Sequence, residues 1–355
     1  MKKIYPIILF ITLTPACDND PLRIEGPVFH GKPGVYIANE GNFTFGNASL
    51  SFYDPSSGIA SNSIFLVANG IPLGDVANSL AFYGDRGYVV VNNSARIICF
   101  DPGDASLTGT ITGFESPRHL LVLSDAKAYI SDLYARRIFI VNLSDFSLTG
   151  TIDISVPGSG FAQHNAEQML ILGDRVFAAC WSYDNAILVI DPVTDLVTDS
   201  VKVTRQPNSM VLDSRARLWV LSDGGYAGSA FGQDTAALTC IDPATLQITR
   251  KLVFPSLDAS PFDLAINRGG DSLYFLDRDL FCMNVNAVTL PVQPFIEAAG
   301  RQFYSLGIDP STSEIYLGDA IDFQQSGLVY RYRGSVLADS FRVGVNPGAF
   351  YFTGQ

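Results

Sequence analysis

Three histidines, at positions 30, 119 and 164, are all the imidazole this chain offers to acid–base chemistry. No GxSxG elbow, HExxH helix or phosphate-cradling glycine loop accompanies them. The chain therefore reads as a binding protein, not an enzyme, and no cofactor is expected. Cys99, Cys180, Cys240 and Cys282 each lie inside an apolar run. None forms a CxxC pair or stands near a histidine at metal-ligand spacing, so they read as small buried hydrophobes and no metal is assigned. Asp132, Asp223, Asp277 and Asp319 close equivalent runs. They could hold Ca²⁺; hydrogen bonding to neighbouring loop N–H groups is the preferred reading. The richer chemistry lies where aromatics mix with amides and single charges. Asn39, Glu40, Asn42, Phe43 and Phe45 come first, then Asn92, Arg118 and His119. Asp132, Tyr134 and Arg136 follow, then Phe161, His164, Trp181, Tyr183, Arg205 and Asn208. Asp223, Tyr226, Phe231, Arg301, Tyr304 and Phe323 complete the set. Such a mixture suits a large, flat, partly polar ligand. Any single member could equally serve to pack a loop.

A repeat positions these residues. A β-rich run, a polar gap and a second apolar run ending near Asp-Pro recur along the chain. The pairs of runs are 35–39 and 50–55, 88–92 and 97–102, 128–132 and 138–142, and 176–180 and 187–192. Three more follow: 218–222 and 238–243, 273–277 and 280–284, and 315–319 and 328–332. An inner strand precedes each pair after the first, as at 79–82, 119–122 and 209–212, and an outer strand follows, as at 107–111 and 148–152. Four strands per ~40–50 residues is the spacing of a propeller blade. A lone blade has two apolar faces and two open edges, and closing a ring buries the faces. The fold class is thus all-β: a seven-bladed β-propeller of four-stranded blades. The first unit lacks an inner strand, and 348–352, after Asn346-Pro347, supplies one, so a C-terminal strand closes the first blade.

Topology sorts the loops onto two faces. Short turns such as 84–87 and 173–175, with the Asp-Pro turns, share one face and read as punctuation. The longer loops and blade-to-blade links share the other, and carry nearly all the residues singled out above. Long loops on a rigid scaffold usually carry function.

The composition fits. Apolar residues make up 47% and charged residues only 16% of the 355, which excludes disorder. A formal net charge of −12 excludes nucleic acid as a partner. Lys2 and Lys3, an apolar run to Leu13 and a cysteine at 17 mark residues 1–16 as a lipoprotein signal peptide. Cys17 is then the lipidated residue, 17–32 a tether, and 33–355 the propeller. Asp18 and Asp20 follow the cysteine directly, in the manner of a surface-export signal. The expected location is the outer membrane, lipid-anchored and exposed at the cell surface.

The stretch Ala38-Asn39-Glu40-Gly41-Asn42-Phe43, followed by Asn47-Ala48-Ser49-Leu50-Ser51-Phe52-Tyr53-Asp54-Pro55, resembles the opening of YncE-like surface propellers of Bacteroidetes. That family includes BtuG-type lipoproteins. The resemblance implies capture of cobalamin or a related corrinoid, as ligand and not cofactor, and its delivery to a TonB-dependent outer-membrane transporter. The alternative is a structural or adhesive surface-layer-like propeller that binds glycan or protein.

Overall fold

The computed structural model describes residues 32–156 and 164–354. Within them each repeat folds as an antiparallel meander of β-branched and aromatic runs, most of them joined by turns too short for a parallel crossover. Seven sheets result. The inner strands of blades 2 to 7 are Ala77–Tyr83, Pro117–Ser124, Ala166–Leu172, Pro207–Leu212, Phe262–Ile266 and Phe303–Ile308. The first blade takes its inner strand from Pro347–Thr353, which pairs antiparallel with Gly34–Asn39. The predicted closure is therefore present. Six blades have four strands. The sixth has three, and the chain returns to its edge only at the single bridge Leu280↔Ile296. Pro291 and Pro294 lie in that returning segment and cannot donate to a ladder. A short helix, Ile64–Asn69, was not foreseen; it drives Ile64 and Phe65 into the seam between blades 1 and 2.

The apolar core lies between blades. Tyr36, Leu50 and Phe52 of blade 1, for example, pack against Val89, Ile98 and Phe100 of blade 2. The Asp-Pro turns behave as punctuation: Asp54, Asp101, Asp191 and Asp242 each accept the N–H two residues on, at 2.6 to 2.9 Å. Polar bonds add a second, inner seam that runs right round the ring. Ala77 N–H donates to Glu40 O, Asn78 Nδ2 to Arg118 O, and Arg118 Nε to Glu167. Met210 N–H donates to Gln168 Oε1, Asn208 Nδ2 to Pro261 O, Leu306 N–H to Asp263 Oδ2, and Tyr304 O–H to Glu40 Oε2. Every junction between neighbouring blades is crossed at least once.

Candidate functional site

Each inner strand breaks register with its neighbour near its start. A β-bulge of this kind re-aims one side chain away from the sheet. The breaks fall at Gly348, Asn78, Arg118, Glu167, Asn208, Asp263 and Tyr304 in blades 1 to 7. All seven line one cavity of about 880 Å³ at the central axis on the loop-rich face. The bulges of blades 2 to 7 thus build a polar collar of six side chains, and in blade 1 Gly348 leaves room for the Glu40 side chain to complete it. Phe323 joins the cavity lining, and Phe43, Phe45, Tyr134, Tyr226 and Phe231, all exposed, stand on the longer loops of the same face. Tyr226 and Phe231 group with Tyr183, whose ring centroid lies 6.3 and 4.8 Å from theirs. Phe323 packs edge-on to Tyr304 at 5.7 Å. The site is a funnel with an aromatic rim and a polar floor.

The floor is acidic. Glu40, Glu167, Asp223, Asp258, Asp263 and Asp277 face it, against Arg118 and Arg278. Burial pushes the carboxyl groups of Glu40, Glu167, Asp223 and Asp277 up. Arg118 opposes this at Glu167, its Nε lying 2.8 and 2.9 Å from the two carboxylate oxygens. Burial and the Arg118 charge push His119 down to about 3, so its ring is neutral. Asp263, with a left-handed φ of 55°, is pushed up to about 7 by burial, helped by the nearby Glu40 charge.

Asp263 yields a pH prediction. Its carboxyl sits higher in the folded protein than its ordinary 3.8, so the native state holds the proton more tightly than the unfolded chain. Stability from this group is present in full below about pH 4 and declines as pH rises to about 7. Asp263→Asn keeps an acceptor for Leu306 N–H and removes the decline. Urea unfolding should find the variant more stable at pH 8 by on the order of 1–3 kcal/mol, and equal to the parent at pH 4. Equal stability at pH 8 would contradict the reading.

The structure gathers Glu40, Arg118, His119, Trp181, Asn208, Asp223, Tyr304 and Phe323 at the funnel. Other predicted residues serve the scaffold. Asn39 and Asp132 are both 0% exposed. Asn39 Nδ2 donates to Ser51 Oγ, while Asp132 accepts four loop N–H groups. A polar residue closing an apolar strand turned inward here, where the sequence suggested a loop. Asn92 clips blade 2 to Ser116 and Pro117, and Asn42 donates to Phe323 O. Arg301 lies over the Tyr330 and Phe303 rings, and Arg205 donates to Tyr183 O. Arg136 is exposed beside the rim. Phe161, Cys17 and His30 lie outside the described residues. Asp223, Asp277 and Asp319 accept loop N–H groups. His164 does not reach the funnel; its Nδ1 lies 2.5 Å from Asp184 Oδ2, and the same fold brings Cys180 beside both, a proximity invisible in sequence spacing. Sequence reasoning missed Glu167, Asp263 and Asn78; the one available signal was a polar residue near the start of the inner strands of blades 2 to 7.

A second cavity of about 740 Å³ opens on the turn-bearing face between blades 4 and 5. Three of its four arginines hold the scaffold: Arg175 donates to Pro243 O, Arg217 pairs with Asp213, and Arg250 donates to Val285 O and Ala287 O, while Arg215 is exposed.

These features define a closed propeller with a ligand-sized axial funnel on its loop-rich face. The chain belongs to the family defined by the domain of unknown function DUF5074, which matches residues 33–323. No curated protein sequence matches it. Solved structures similar to it include a quinonprotein alcohol dehydrogenase-like protein from Bacteroides thetaiotaomicron, at TM-score 0.67 and 12% identity, covering 91% of this chain and 78% of that one. A protein of Bacteroides fragilis described as a candidate 6-phosphogluconolactonase has TM-score 0.67 and 14% identity, covering 92% and 99%. The periplasmic gluconolactonase of Pseudomonas aeruginosa has TM-score 0.66 and 12% identity, covering 90% and 99%. At these identities the likeness shows the shared propeller fold alone.

Proposed function

We propose that the protein is a surface lipoprotein, anchored through Cys17, that binds cobalamin or a related corrinoid in the axial funnel and passes it to a TonB-dependent outer-membrane transporter. The observation that carries the binding reading is the collar: six bulges aim polar side chains, joined by Glu40 of blade 1, into one cavity beneath an aromatic rim. A corrinoid supports the match in chemistry. Its fringe of primary amides offers N–H donors to the acidic floor, and its broad apolar edges suit Tyr134, Tyr226 and Phe323. At about 880 Å³ the cavity is near the upper end of small-molecule sites, so a ligand of this size would sit partly in the funnel and partly against the rim. Isothermal titration of the soluble chain with cobalamin should give a one-to-one saturable heat. No heat at micromolar protein contradicts the proposal.

A further inference from the structure

Beside the funnel, and not part of its lining, blade 4 places a soft and a borderline metal ligand next to a carboxylate. A ring nitrogen of His164, Cys180 Sγ and a carboxylate oxygen of Asp184 all lie within 4.8 Å of one another. The register explains how this came about. Cys180 pairs with Ala166, the opening position of its inner strand, as Asp132 pairs with Pro117 and Asp319 with Phe303. In blades 3 and 7 that position is an aspartate that accepts link N–H groups. A cysteine sulfur is only a weak acceptor and replaces the aspartate poorly. In blade 4 the link instead carries His164, and the following loop carries Asp184.

We propose that His164, Cys180 and Asp184 form a binding site for a divalent transition-metal ion of the Zn²⁺ class. One thiolate, one neutral imidazole and one carboxylate give a donor set typical of zinc, leaving a fourth position for water. Two anionic ligands cancel the charge of the ion, which suits a site whose cysteine is 0% exposed. On binding, the Cys180 S–H bond gives its proton to solvent, an S–metal bond forms, and no electrons are transferred. The same three residue types could describe a nucleophile and its base. Cys180 is fully buried, so its thiol cannot reach a substrate.

The test uses the full mature chain, loaded with Co²⁺ as a spectroscopic stand-in and titrated with Zn²⁺. The wild type should show a near-ultraviolet thiolate-to-cobalt band at one equivalent, bleached by Zn²⁺. Cys180→Ala, which keeps a small apolar residue in the core, should lose the band. Zn²⁺ affinity should fall by at least roughly 100-fold in Cys180→Ala and in His164→Ala, beyond what loss of an outer-shell partner brings. Cys240→Ala, at a buried cysteine elsewhere, should leave both unchanged, and circular dichroism checks folding. Absence of the band in the wild type, or a band that survives in Cys180→Ala, overturns the proposal.

Discussion

Ending the chain after Val345 should abolish cooperative folding of the whole ring. Residues 347–353 form the innermost strand of blade 1, so their loss leaves Gly34–Asn39 with an open edge against the axis. It also removes three aromatic anchors. Tyr351 stacks on Phe82 of blade 2 at 3.9 Å, while Phe350 and Phe352 pack on Tyr316 of blade 7 at 6.2 and 5.2 Å. One strand thus clasps the blades on either side of it. Full burial of such a side chain is worth about 1.5–3 kcal/mol; Phe352 is buried and the half-buried Phe350 and Tyr351 contribute less, and the strand's ladder bonds add to them. Their sum is comparable with the whole net stability of an ordinary domain, about 5–15 kcal/mol. Urea unfolding of the truncated chain, followed by far-ultraviolet circular dichroism, should show no cooperative transition. A transition with a midpoint near that of the full chain would mean the ring is held elsewhere.

Arg118→Ala should destabilise by about 3–5 kcal/mol, the usual penalty for stranding one member of a buried ion pair. Glu167 is 4% exposed and loses its guanidinium partner, and Glu40 loses the cation that offsets its burial. The carboxylate can escape by taking a proton. Folding then raises the Glu167 carboxyl further, so the deficit should be smaller at pH 5 and larger at pH 8. The double variant Arg118→Leu with Glu167→Leu removes both charges and should recover much of the stability while leaving corrinoid binding impaired. If the single variant unfolds like the parent at pH 8, the junction between blades 3 and 4 does not depend on this pair.

The blades were legible because their strands are long apolar runs closed by Asp-Pro, a pattern that only stacked sheets bury. The clasp was legible too, since Asn346-Pro347 introduces a final β-rich run as Pro207-Asn208 does at blade 5. The floor of the funnel was not. Bulge residues are chosen by pairing register, which a single strand does not reveal: Glu167 and Asp263 read in isolation as ordinary solvent-facing positions. The burial of Asn39 and Asp132 was hidden in the opposite sense, since strand-end polar residues look like loop residues until their partners are seen. His164 and Cys180 lie in different segments, and only the blade's register brings them together.

Differential hydrogen exchange of the mature chain, with and without saturating cobalamin, tests most directly where the ligand sits. The account predicts slowed exchange at 39–47, 117–120, 223–234 and 302–306, with the turns at 84–87, 173–175 and 242–245 unchanged. Protection confined to those turns, or none anywhere at saturation, would contradict it.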